Sequence, residues 1–172
     1  MLEAVLSLAG VVLGFLLSEG KRSYDAKSVK KSLRVALIEE LGSIVRMTPS
    51  KLDILNQAEE NFCAGRVMPT KSTRFPREIY IRVLVDAPET LTTNERNCLH
   101  IIYERLRVID ESMDEMEDRF NSITATHSIT QALPALVGSI RDMKEALNKT
   151  MELAKSVIKG NAIDVYQMTT ER

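Results

Sequence analysis

Residues 99–120 read LHIIYERLRVIDESMDEMEDRF, and this stretch decides the fold. Leu99, Ile102, Leu106, Ile109, Met113, Met116 and Phe120 recur at alternating steps of three and four. An α-helix turns once in about 3.6 residues, so these side chains share one face, the seam of a coiled coil or helical bundle. Leu106 and Ile109 are expected in its core. Ile101 and Val108 widen the face, which favours a multi-helix bundle over an isolated two-stranded coil. Thr92 and Glu95 have capping-box spacing and mark the start of the helix.

Downstream, residues 121–129 (NSITATHSI) read as a polar connector. A last helix begins near Ser128 with Pro134 in an early turn. Its face is Leu133, Leu136, Ile140, Met143, Leu147, Ala154 and Val157, with polar Thr150 breaking the seam. Gly160-Asn161 is a stop signal, and residues 162–172 form a tail without pattern. Upstream, residues 86–91 turn around Pro88. Residues 76–85 alternate like a strand but also fit a helix face. With no second strand to pair it, the helix is expected, with Pro76 in its first turn. Residues 63–75 (CAGRVMPTKSTRF) read as a loop. Before it, Ser50 caps a helix whose face is Leu52, Leu55, Ala58 and Phe62. Pro49 is expected to end the preceding helix, since a residue before proline avoids the helical region. That earlier helix carries Val29, Leu33, Leu37, Leu41, Ile44 and Val45 on one face.

The chain has 172 residues, 44% hydrophobic and 27% charged, with a net charge of -1. This excludes a fully disordered chain and gives no bulk-charge argument for nucleic acid. Scarce Gly and Pro, no Trp and only 5% aromatics argue against a sandwich or barrel. Cys63 and Cys98 make neither a disulfide framework nor a four-ligand zinc site.

The opening run, residues 1–18, reads MLEAVLSLAGVVLGFLLS, with Glu3 its one charge. As a helix it spans about 27 Å, against a hydrocarbon core of about 30 Å. A cleaved signal peptide would start with a cation and end at a small-residue site, and neither is present. A buried core helix of a soluble protein is the alternative reading, and it suffers because almost no polar face remains for solvent. A single membrane span is the favoured reading. Lys21, Arg22, Lys27, Lys30, Lys31 and Arg34 follow it, and only Glu3 and the amino terminus precede it, so the body is expected in the cytoplasm. Two free thiols suit that reducing compartment. Within the run, Gly10, Gly14 and Ser18 form a small-residue stripe that lets two spans approach, the candidate association face. Lys21, Arg22, Lys27, Lys30 and Lys31 are the candidate contacts to anionic head groups.

Catalytic motifs are missing. His100 and His127 stand outside any Glu-x-x-His or His-Glu-x-x-His, so no di-iron or zinc-protease site is expected. The segment from Gly14 to Lys21 has the wrong spacing for a phosphate loop. Asn148-Lys149-Thr150 is a glycosylation triplet in mid-helix on the cytoplasmic side. The acids Asp110, Glu111, Asp114, Glu115, Glu117 and Asp118 fall off the seam and read as a solvated face. No catalytic residue, cofactor, metal or small-molecule substrate is expected, and the chain is not read as an enzyme.

The expected architecture is all-α: an N-terminal transmembrane helix continuing into a cytoplasmic antiparallel bundle of about four to five helices. Residues 1–18 are the anchor, 19–47 a basic juxtamembrane amphipathic helix, 48–161 the bundle and 162–172 the tail. This layout resembles uncharacterised small bacterial membrane proteins with one span, a basic helix like Ala36–Leu41 (Ala-Leu-Ile-Glu-Glu-Leu) and a helical domain. Phe75-Pro76 and the segment 91–103 extend the likeness. The resemblance implies an inner-membrane, single-pass protein with its N-terminus out, and it implies no site residues. The expected role is a membrane-anchored interaction module whose partners are the bilayer and either a second copy or another protein. The other reading is an oligomerising, membrane-active effector or pore-forming subunit. Against it, Ser7 and Ser18 are too few to line water.

Overall fold

The computed structural model describes residues 2–66, 68–126 and 129–161, with side chains from residue 27 onward except at 117 and 123–132. The described residues are helical and contain no strand. Helix α1 spans Leu2–Cys63, α2 spans Glu78–Asp86, a single 3-10 turn covers Pro88–Thr90, α3 spans Thr93–Thr126 and α4 spans Ile129–Ile158. These five helical elements form the expected all-α bundle.

Cross-links between helices give the directions. Arg34 pairs with Glu95, Glu40 with Tyr103, Lys51 with Asp110, and Phe62 stacks on Phe120. Both members of each pair rise in number together, so α1 and α3 run parallel. The connection between them must therefore travel back along the bundle. It does so as a non-helical segment, described over residues 68–77, followed by α2. Thr70 bonds the Met113 carbonyl, Phe75 bonds Asp110, and Tyr80 bonds Glu40. Helix α4 then packs along both α1 and α3. Successive members of the bundle are antiparallel, and the second member is half helix and half non-helical chain.

All seven seam residues of α3 are buried, as are Leu136, Ile140, Met143, Leu147, Ala154 and Val157 of α4. They join Leu55, Ala58 and Phe62 in one core. Leu33, Leu37, Leu41 and Ile44, from the stretch read as juxtamembrane, sit in that same core. Some residues predicted on apolar faces behave otherwise: Val29 and Val108 are exposed, and Val45, Leu52 and Leu133 are only partly covered.

Pro49 does not end a helix, contrary to expectation; α1 runs through it to Cys63. Leu41, Ile44, Thr48, Lys51, Leu55, Ala58 and Phe62 are all buried on one face across the proline. That shared burial outweighs the proline's cost of about 3 kcal/mol. The Thr48 hydroxyl also donates to the Ile44 carbonyl (2.9 Å). The stretch read as a connector, residues 121–129, is helical where it is described: α3 continues to Thr126 and α4 begins at Ile129. Pro76 stands outside α2, whose N-cap is Arg77. Thr150 does not break the α4 seam: it is buried, and its hydroxyl donates to the Ala146 carbonyl (2.7 Å).

Helix ends follow their local chemistry. Thr92 and Glu95 exchange the two capping-box bonds, at 2.8 and 3.2 Å. Gly65 and Gly160 have φ of 70° and 77°, the left-handed conformation that a Cβ disfavours. Each closes a Schellman turn: Arg66 and Asn161 donate to the carbonyls of Asn61 and Ser156 five residues back.

Among the described residues, no helix is long and apolar enough to cross a membrane. The predicted anchor, residues 1–18, lies outside the residues whose side chains are described.

Candidate functional site

Two buried carboxylates organise the polar interior. Glu40 sits on the core side of α1, in step with Leu33, Leu37, Leu41 and Ile44. Its carboxylate accepts from the backbone N–H groups of Ile79 (2.9 Å) and Tyr80 (3.1 Å), and from the Tyr103 hydroxyl (2.6 Å). These two amides belong to the first turn of α2, which has no side-chain cap of its own. A residue 39 positions away thus supplies the anion that a helix N-terminus favours. The rings of Tyr80 and Tyr103 stack beside it at 4.1 Å. Burial pushes both hydroxyls above the ordinary tyrosine range, and the bond to Glu40 pushes Tyr103 further.

The second carboxylate is Asp110. It accepts from the Lys51 ammonium (2.6 Å) and from the Phe75 backbone N–H (2.9 Å). Lys51 also donates to the Ser72 hydroxyl (2.8 Å) and lies 4.5 Å from the centre of the Phe75 ring. Lys51 and Asp110 are each only 3% exposed. Every buried side-chain polar atom among the described residues is partnered. All of these contacts hold residues 72–77 and α2 against α1 and α3.

Asp110 therefore corrects the reading of the acidic stretch. It was expected on the solvated face, and it is buried because Lys51 and Phe75 come to meet it. The other acids with described side chains follow the expectation more closely: Glu111, Glu115 and Asp118 are exposed. Asp114 pairs with Arg74 at 2.7 Å. Nothing in residues 110–118 alone distinguishes Asp110. The missed signal was Lys51, a charged residue in phase with a buried apolar repeat, which requires a partner.

Among the predicted site residues, Gly10, Gly14, Ser18, Lys21 and Arg22 lie outside the described side chains. Lys27 and Lys31 are exposed. Lys30 pairs with Glu89 in the 3-10 turn, and Arg34 binds both the Thr90 carbonyl and Glu95. Part of the basic stretch is thus used within the chain, fastening α1 to the start of α3. Cys63 is exposed and Cys98 is buried. Among the described residues, no three metal-capable side chains gather.

Among the described residues, Val29 and Val35 of α1 are exposed, and two further apolar features stand on the surface. Ile81, Leu84 and Val85 face outward from α2, at helical steps of three and one. Between α3 and α4 runs an open groove with Val108 on one wall and Met143 and Ala146 on the other.

No family model matches the chain, and neither the curated proteins nor the solved structures yielded a match.

Proposed function

We propose that the chain is a membrane-anchored helical interaction module that holds its bundle at the cytoplasmic face. One observation carries this reading: a single backbone helix, Leu2–Cys63, joins the apolar opening run to the bundle core. The first core residue is Leu33. It lies about 22 Å along the axis from Ser18 at 1.5 Å per residue. Head groups add only about 5–8 Å beyond the hydrocarbon. The bundle would therefore stand clear of the bilayer on a helical stem. Lys21 and Arg22 would lie at head-group level, within about 6 Å of the hydrocarbon edge. Lys27 and Lys31, at about 13 and 20 Å, would act only through the longer-range surface potential. Among the described residues the buried polar groups are partnered by one another and tie the bundle together, as an interaction module requires.

The test is fractionation of a C-terminally tagged chain with and without residues 1–20. The full chain is expected in the membrane pellet, resistant to carbonate and released by detergent, with its tag protected from external protease. The truncated chain is expected in the supernatant. Full-length protein in the soluble fraction overturns the reading. Growth arrest with dye entry, relieved by Gly14→Ile, would support a pore instead.

A further inference from the structure

We propose that the groove between α3 and α4 is covered by a second copy of this chain, related by a two-fold axis running along the bundle. This deepens the interaction-module reading and rests on it. Val108 stands 51% exposed in the middle of the α3 wall. Ser112 and Ser139 are small enough to let another helix approach. Arg105 on one wall and Asp142 on the other are both exposed, and neither has an ion pair or hydrogen bond among the described residues. The other charges near this rim are spoken for: Glu104 binds Arg107 and Glu145 binds Lys149.

This unpaired couple selects the partner and its orientation. Closed dimers use the same patch twice. A two-fold axis along the groove exchanges its walls and keeps heights unchanged. Arg105 then faces Asp142 of the second copy, twice over, with the two Val108 side chains meeting near the axis. A two-fold axis across the groove instead sets α4 against α4 and brings Asp142 against its own copy, a like-charge contact that disfavours association. The favoured arrangement sends both α1 helices out of the same end, as two chains in one membrane require. The face is modest for a stable dimer, so anchoring in a common membrane would strengthen it by raising the local concentration.

The full chain in mild detergent is examined by sedimentation equilibrium. A dimer is expected, and Val108→Glu is expected to leave monomer. Arg105→Asp alone and Asp142→Arg alone should each weaken association about tenfold or more, and the double variant should recover to within about threefold of the parent. In a Cys63→Ser background, Val108→Cys should give a disulfide-linked dimer in membranes. A parent chain that stays monomeric overturns the proposal. So does a dimer indifferent to Val108→Glu, or a double variant as weak as the two single changes combined. The charge-swap result is independent of fractionation, so loss of the anchor reading and loss of this interface are separately visible.

Discussion

Replacing Lys51 with Met should destabilise the bundle far more than replacing Lys51 and Asp110 together. The two charges are 2.6 Å apart. At an effective dielectric constant of about 20 their attraction is about 6 kcal/mol. Removing two such ions from water costs several kcal/mol each, so the pair's net contribution is close to zero. Breaking it is another matter. Lys51→Met leaves a carboxylate enclosed with one remaining donor, the Phe75 N–H, and should cost about 3–5 kcal/mol. Asp110→Asn strands the ammonium beside Ser72 and the Phe75 ring, at a similar cost. The double variant buries no charge, and Asn still offers Phe75 an acceptor, so it should return to within about 1–2 kcal/mol of the parent. Urea unfolding of the full chain in mild detergent, followed by helical circular dichroism, measures all four corners of the cycle. Single-variant losses below about 1 kcal/mol, or losses that simply add in the double, would refute the account of this pair as a mutually dependent buried unit.

Two further outcomes follow from the same interior. Glu40→Ala removes the acceptor of two α2 amides and of the Tyr103 hydroxyl. It should cost about 2–4 kcal/mol, and hydrogen exchange at Ile79 and Tyr80 should accelerate more than at α4 amides; equal acceleration throughout would count against local capping. Acid should loosen the fold. Lys144, then Arg141, hold the Glu59 carboxyl below its ordinary range; burial lifts Glu95, but the Thr92 amide and Arg34 outweigh it. A folded value below the unfolded one, about 4.3, gives stability that is present above that pH and lost as pH falls below it. Glu59→Gln should therefore flatten the stability curve below about pH 5, and a parent whose stability rises on acidification in that range contradicts the assignment.

Sequence periodicity carried the packed helices because burial in a bundle is a property of helix phase. The apolar seam of α3 could be read to the residue: all seven positions at steps of three and four are buried, and Glu95, Cys98, Tyr103 and Asp110 are buried beside them. The same rule explains the failures. Pro49 and Thr150 were judged by local propensity, and the tertiary face on which they sit overrode it. Asp110 falls off the apolar seam by position, and the apolar faces read along α1 leave out Lys51 and Glu40. Lys51 and Glu40 are nevertheless in phase with buried neighbours, at 44, 48, 51, 55 and at 33, 37, 40, 44. Phase said that they should be inside, and charge said that they should be outside. Only long-range partners reconcile the two: Asp110, 59 positions from Lys51, and the α2 amides, 39 and 40 positions from Glu40. Those partners arrive on a segment that doubles back because α1 and α3 are parallel. Parallelism is not a local signal, so neither the latch nor the groove beside Val108 could be located before the helices were placed. Once they are placed, the exposed Val108 acquires a physical meaning. The widening of the α3 seam that pointed to several helices leaves one apolar side chain beyond the reach of α4, and an uncovered apolar position at the centre of a two-helix groove is the place where a further helix adds most.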